Sequence, residues 1–226
     1  ALVPRTEPTK QHQWGLKILC PIDNQVWWYP YDYNLACCYY RKDLYAEKGL
    51  KIPETWDQYL SNARALTVMK DGNVDRGGCV FPIASNGATN WTSFAFMWGE
   101  GVRLIGDRWN VTLDSPENAG RVSRYLDLYA ELYKTMPPNM NAVSYAQLLG
   151  LFATDKVAHS AYSGRLVETL EARAPNLTTQ FGVFPYPDSK GAAKALNNGY
   201  DGFVVLKSKQ SEEAMKFLRW FLENHY

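Results

Sequence analysis

A chain of 226 residues is long enough for one large domain or two modest lobes, and 46% hydrophobic residues with a mean hydropathy of −0.36 describe a packed core under a polar surface. The 24 basic and 23 acidic side chains leave a net charge of +1, without the surplus or the clustered basic face of an ordinary nucleic-acid binder. Apolar runs such as Leu35–Tyr40 fall far short of the roughly 18 residues that a membrane-spanning helix needs. No basic, apolar leader opens the chain, and a start at Ala1 rather than Met reads as a processed or excised piece. Aromatic residues make up 14% of the sequence, either as a Tyr/Trp-rich core or as a surface that grips flat ligands.

The first residues (Pro4, Pro8, Lys10, Gln11, His12) are polar and irregular and read as a frayed terminus or the stump of a missing element. Leu16–Cys20 and Gln25–Tyr29 read as strands around a turn at Asp23-Asn24, with Pro30 breaking the second run and Tyr33–Tyr40 extended after it. Lys42–Lys48 predicts a short helix closed by Gly49. Thr55-Trp56-Asp57-Gln58 is a capping box, followed by one helix face at Trp56, Tyr59, Leu60 and Ala63. Gly78–Ile83 is a strand candidate. Trp91, Phe94, Ala95 and Trp98 then repeat the helical spacing up to Gly99. Ser115-Pro116 supplies an N-cap with proline at N1 for the longest amphipathic helix, striped by Val122, Tyr125, Leu126, Tyr129, Leu132 and Met136 and stopped by Pro137-Pro138. Ser144 with Gln147 opens a helix that buries Leu148, Leu149 and Phe152. Lys156–Ala161, Phe181–Phe184 and Gly202–Leu206 read as strands. Ser211 caps a last helix, with Glu212 and Glu213 at its positive end and Ala214, Phe217, Leu218 and Phe221 facing inward. Strands alternating with helices make an α/β protein.

The motifs exclude more chemistry than they suggest. Of His12, His159 and His225, two lie near the termini, and His159, inside a strand candidate, reads as a core imidazole. A Ser-His-Asp or Cys-His centre would have to be built on it. G-x-S-x-G, a Walker A loop and G-x-G-x-x-G before a helix are absent. Asp71, Asn73 and Asp75 have the spacing of a calcium loop, but Arg76 stands where that loop needs glycine and Pro82 where it needs glutamate, so a tight polar turn is the better reading. Cys20, Cys37, Cys38 and Cys79 follow no metal spacing and read either as buried free thiols or as including one disulfide, for which Cys20 with Cys79 is one pairing among several. Triplets at Asn90, Asn110 and Asn176 match the glycosylation pattern at a frequency that chance explains. No cofactor and no metal is expected.

One stretch is specific: Trp28-Tyr29-Pro30-Tyr31, Cys38-Tyr39-Tyr40-Arg41-Lys42-Asp43-Leu44-Tyr45, Gly49-Leu50, then Pro53-Glu54-Thr55-Trp56-Asp57-Gln58-Tyr59-Leu60 and Ala63. It resembles the extracellular solute-binding proteins of ABC importers, in the carbohydrate-binding family that includes maltose-binding protein. Weaker matches follow in order at Asp114-Ser115-Pro116-Glu117, Phe152–Ala158, Pro185-Tyr186-Pro187 and Lys207-Ser208-Lys209 with Ala214, Phe217 and Leu218. Three positions depart from the pattern: Arg41 where Asn is commoner, Asp155 in place of a glycine and His159 in place of a methionine. The resemblance implies a periplasmic-binding-protein-like α/β fold, mainly the second lobe with part of the first. Family members are generally much longer. Residues 1–33 would then be a first-lobe segment and first crossing, 34–197 the second lobe, and 198–226 the second crossing with a strand and helix returning to the first lobe. Exposed apolar surface is expected on the terminal segments.

A sugar offers flat C–H faces and many hydroxyls, so its site needs aromatic platforms beside hydrogen-bonding side chains. In open α/β sheets such sites lie beyond the carboxyl ends of strands, at crossovers and helix N-termini. Tyr31, Asp32, Tyr33 and Asn34 fall at the first crossing, Asn86, Asn90 and Trp91 after Gly78–Ile83, Tyr162 and Arg165 after the strand at Val157, and Tyr200 with Asp201 at the second crossing. For each aromatic, core packing is the competing reading. The function this implies is non-catalytic: a carbohydrate held in an interlobe cleft by hinge closure and delivered to the membrane permease of an ABC transporter. The resemblance further implies a periplasmic or extracellular monomer, lipid-anchored at full length, with no nucleic-acid partner. Two alternatives stand beside it. One is a glycoside hydrolase or transferase using Asp32 or Asp201. The other is the same fold holding a peptide, amine or anion, with Arg165 at a helix N-terminus favouring an anionic group.

Overall fold

The structure, a computed structural model, describes residues 29–84, 87–106, 109–161, 165–191 and 197–224. The strand expected at Leu16–Cys20, the Asp23-Asn24 turn and most of Gln25–Tyr29 lie outside them. The chain divides into two compact units, residues 35–197 and residues 1–34 with 198–226.

Strand β1 spans Tyr29–Ala36 and runs through Pro30 instead of breaking there. It belongs to a two-stranded sheet, where each strand has an unpaired side, so a missing N–H near its start is tolerated. Strand β2 (Cys38–Arg41) leads into helix α1 (Lys42–Lys48), which ends at a left-handed Gly49. Helix α2 (Trp56–Leu66) carries both halves of its capping box: Gln58 N–H donates to Thr55 Oγ1 at 3.2 Å and Thr55 N–H to Gln58 Oε1 at 3.4 Å. Trp56, Tyr59 and Ala63 are buried, as their spacing predicts.

The turn read at Asp71 belongs to a hairpin of β3 (Val68–Lys70) and β4 (Asn73–Arg76). Asp71 and Gly72 both take positive φ, 52° and 78°, the Asp-Gly pair that a two-residue hairpin favours. Helix α3 (Gly87–Gly99) buries Thr92, Ala95, Phe96 and Met97. Trp98, expected inside, is 45% exposed, whereas Trp91 and Phe94 are partly buried against the core. The inward stripe is turned by about one residue because Phe96 meets Tyr186 and Tyr125, with ring centroids 5.1 Å and 6.3 Å apart.

Helix α4 (Pro116–Tyr133) begins with proline in its first turn and buries Asn118, Tyr125, Leu128 and Leu132. Leu126 points outward and is 56% exposed, since it lies about 100° around the helix from Tyr125. Met136 is buried but follows the helix, which ends before Pro137. Helix α5 (Tyr145–Ala153) has the Ser144/Gln147 capping box and buries Leu148, Leu149 and Phe152.

Strand β5 is reduced to His159–Ser160, and helix α6 (Arg165–Arg173) follows it. Strand β6 spans Phe181–Phe184, β7 Asn197–Phe203 and α7 Ser211–Asn224. β7 ends three residues short of the predicted Leu206. Beyond it Val205 packs with Leu218 and Leu222 of α7, while Ala214 and Phe217 face outward. Exposure of Phe217, Trp220, Val204 and Leu206 gives this terminal segment the apolar surface expected of it. Ser211 is the first helical residue, and its hydroxyl accepts the Ser208 N–H at 2.7 Å, closing the preceding turn.

Strands pair in the order β5–β2–β6, with β2 antiparallel to both: Tyr39 faces Ser160 and Val183, and Tyr40 faces His159 and Gly182. The run read as a strand at Gly78–Ile83 joins through isolated parallel bridges, Gly77 with Val157 and Val80 with Ser160. It comes so close to α2 that a Cβ on Gly78 would lie 1.7 Å from the Ala63 carbonyl oxygen. β1 and β7 form a separate two-stranded sheet. Among the described residues, no helix is long and apolar enough to cross a membrane.

Two of the departures from the family pattern meet. The Arg41 guanidinium, almost fully buried, binds Asp43 at 2.6 Å and Asp155 at 2.5 Å. Asp155 has a φ of 58°, a conformation that glycine adopts freely and aspartate tolerates better than most residues. The third departure, His159, is fully buried: its Nε2 lies 2.5 Å from the Tyr45 hydroxyl, and its Nδ1 has no partner. Cys37, Cys38 and Cys79 are buried free thiols; Cys20 lies outside the described residues.

Candidate functional site

The parallel bridges give the larger unit two segments, 77–80 and 157–160, that run in the same direction. Val80 N–H donates to the His159 carbonyl at 2.9 Å, and Ala161 N–H donates back to Val80 at 3.0 Å. Beyond its carboxyl end each segment is followed by a helix, α3 after the first and α6 after the second. Free N–H groups and the positive ends of helix dipoles sit at such starts, which makes this edge the natural place for a polar ligand.

Three sequence-predicted residues belong to the first turns of these two helices. Asn90 and Trp91 lie in the first turns of α3, Asn90 exposed and Trp91 partly buried against the core; Arg165 is the exposed first residue of α6. Asn86 and Tyr162 lie outside the described residues. The other candidates belong to the smaller unit: the backbone of Tyr31, Asp32, Tyr33 and Asn34 runs in β1, and that of Tyr200 and Asp201 in its partner strand β7, where Asp201 is exposed.

Behind the α3–α6 edge is a polar layer that no sequence motif announced. The Thr92 hydroxyl donates to the Ala161 carbonyl at 2.9 Å, and the Tyr186 hydroxyl donates to the same oxygen at 3.3 Å. Trp56 Nε1–H donates to Pro187 O at 2.8 Å, which ties the Pro185-Tyr186-Pro187 step to α2. Threonine on a helix and tyrosine between two prolines are both commonplace, so only the fold brings them to one carbonyl.

Asn90, Trp91 and Arg165 offer hydrogen bonding and stacking. His159, the histidine on which a triad would rest, is inaccessible. Burial holds its pKa down to about 3, and its Nε2 is taken by Tyr45. Among the described residues no group of three His, Cys, Asp or Glu side chains is placed to hold a metal ion. Two open grooves lie elsewhere on the larger unit. One of about 530 Å³ is lined by Lys51, Ile52, Glu54, Gln58, Ser61 and Asn62, and one of about 380 Å³ includes Tyr40, Lys42 and Tyr45. None of the sequence-predicted site residues lines either groove.

Residues 5–225 match the family described as bacterial extracellular solute-binding protein. The mannitol-binding protein of Pseudomonas aeruginosa is 29% identical over 133 residues, 57% of this chain and 29% of its own length. The multiple sugar-binding protein of Streptococcus mutans is 22% identical over 212 residues, 88% of this chain and 48% of its own. Among solved structures, an ABC transporter solute-binding protein of Agrobacterium radiobacter in complex with ribitol superposes with a TM-score of 0.73 at 21% identity, covering 92% of this chain and 51% of that one. A maltose-bound protein of T. maritima superposes with a TM-score of 0.71 at 21% identity, covering 88% and 50%. The chain thus spans about half the length, or less, of the relatives it matches.

Proposed function

This chain belongs to the bacterial extracellular solute-binding proteins, and from that premise we propose that it forms one wall of a carbohydrate-binding cleft in the solute-binding component of an ABC importer. The observation that carries the reading is that two neighbouring parallel segments each lead on to a helix, the first to the one bearing Asn90 and Trp91 and the second to the one that begins at Arg165. Trp91 supplies a flat apolar face for the C–H side of a sugar ring, as aromatic platforms do for other flat ligands. Asn90 and Arg165 supply polar groups for hydroxyls. Residues 35–197 are read as the second lobe, and 1–34 with 198–226 as segments of the first, so that Tyr31–Asn34 and Tyr200–Asp201 stand at the crossings between lobes. Closure of the lobes on the sugar then shifts the population toward the state that a permease recognises, outside the cytoplasmic membrane. The relatives binding mannitol, ribitol and maltose support a polyol or sugar as the solute.

Calorimetric titration of the full-length protein with mono- and disaccharides and polyols, including mannitol, ribitol and maltose, tests the reading. Micromolar binding of one of them is expected. The exposed guanidinium of Arg165 at a helix start favours one variant of the reading, a sugar acid or phosphate, and acidic sugars belong in the same panel. Binding of an amino acid or peptide with no response to any sugar would overturn the carbohydrate assignment while leaving the family intact.

A further inference from the structure

We propose that the Thr92 and Tyr186 hydroxyls, meeting on the Ala161 carbonyl, are positioning groups that hold the start of α6 in register with Trp91 for ligand binding; this rests on the reading that Trp91 and Arg165 contact the solute. Thr92 is the residue after Trp91 and is fully buried. A helical threonine ordinarily turns its hydroxyl back to the carbonyl four residues earlier. Here that acceptor, Ala88 O, lies at 3.5 Å, and the shorter bond of 2.9 Å leaves the helix for Ala161, the residue after β5. Tyr186 is also fully buried. It donates to the same oxygen at 3.3 Å while its ring meets Phe96 of α3 edge-on at 5.1 Å. The Ala161 N–H is held from the other side by Val80 O at 3.0 Å.

Ala161 is therefore fixed by three hydrogen bonds four residues before Arg165. The Thr92 bond ties it directly to the helix that carries Trp91. Packing alone would be served by valine and phenylalanine. A buried hydroxyl is unfavourable unless its bond is made, and once made the bond fixes geometry more sharply than apolar contact does. Supporting groups of this kind set how closely contacting residues keep their productive positions.

The test uses the full-length protein and, as probe, the tightest-binding member of the mannitol, ribitol and maltose panel. Thr92→Val should weaken binding about three- to tenfold, the scale of a site loosened rather than removed. Thr92→Ser should keep near-wild-type affinity, and Tyr186→Phe should weaken binding by a smaller factor because its bond is longer. In the Arg165→Ala background the Thr92→Val effect should shrink, since the group it positions is gone. Full additivity of the two changes, wild-type affinity of Thr92→Val, or failure of Thr92→Ser to rescue would overturn the positioning role. Failure of the underlying reading looks different: Trp91→Ala and Arg165→Ala would bind like wild type, or no panel member would bind at all, and the positioning role would fall with it.

Discussion

Acidification should unload the core at His159, and the amount follows from the structure. The imidazole is fully buried against the rings of Tyr59 and Tyr45, 5.2 Å and 5.3 Å between centroids. Asn62 Nδ2–H donates to the Tyr45 hydroxyl at 3.3 Å, that hydroxyl shares a hydrogen bond with His159 Nε2 at 2.5 Å, and Nδ1 has no partner. Burial lowers the folded pKa from the ordinary 6.5 to about 3. Because the folded value lies below the unfolded one, the unfolded chain takes up a proton below pH 6.5 that the folded protein refuses. Stability from this group is fully present above that pH and is lost as pH falls toward 3. Linkage over pH 7 to pH 4 makes the loss about 3 kcal/mol. Urea unfolding at pH 7, 6, 5 and 4 reads it, with His159→Met as the comparison. At pH 7 that variant removes an unpartnered ring nitrogen but takes His159 Nε2 away from the Tyr45 hydroxyl, two effects of similar size. Its stability there should therefore stay within about 1 kcal/mol of wild type. Below pH 6 it should lose less stability than wild type by up to the stated amount. Parallel acid profiles for the two proteins would refute the reasoning.

Arg41→Ala should lower stability by about 1–3 kcal/mol in thermal melts, less than a fully buried pair would lose, because the stranded carboxylates reach water; the Asp43 and Asp155 side chains are 39% and 53% exposed. Asp155→Gly should be nearly neutral in the same assay, since it relieves a positive φ as it removes the half-exposed carboxylate's ion pairs with Arg41 and Arg76. Gly78→Ala should abolish folding by circular dichroism or cost more than about 3 kcal/mol, because the new methyl collides with the backbone of α2.

Local signals were the legible ones. Each capping box needs only a hydroxyl and an amide three residues apart, and both, Thr55/Gln58 and Ser144/Gln147, form as the sequence predicts. Helix faces were read less well. Apolar spacing around Tyr125 admits Leu126 or Leu128, and only the partner packed against α4 selects Leu128. The same ambiguity makes Phe217 read as inward-facing, whereas it is exposed. The β3–β4 hairpin gives no strand signal because its exposed strands carry no apolar alternation, although Asp71-Gly72 marks its turn. Arg41 and Asp155 each stood out as departures from a family pattern, yet nothing local says that residues 114 positions apart form one ion pair. At the candidate site the helix starts bearing Trp91 and Arg165 were legible from the strand–helix order. The shared Ala161 carbonyl behind them was not, because hydrogen bonds across the fold leave no spacing in the sequence.

The central claim is that Trp91 and Arg165 face a bound sugar rather than serve the core. Calorimetry on the full-length protein with its tightest sugar or polyol, run beside thermal melts of the same variants, tests it most directly. Trp91→Ala and Arg165→Ala should each cost about 1–3 kcal/mol of affinity with little change in melting temperature. Tyr125→Ala, which empties a buried position and breaks the bond from its hydroxyl to Ser93, should lower the melting temperature with affinity preserved. The contradicting result is the reverse pattern: Trp91→Ala melting early like Tyr125→Ala and binding the sugar undiminished, which would return the tryptophan to the core.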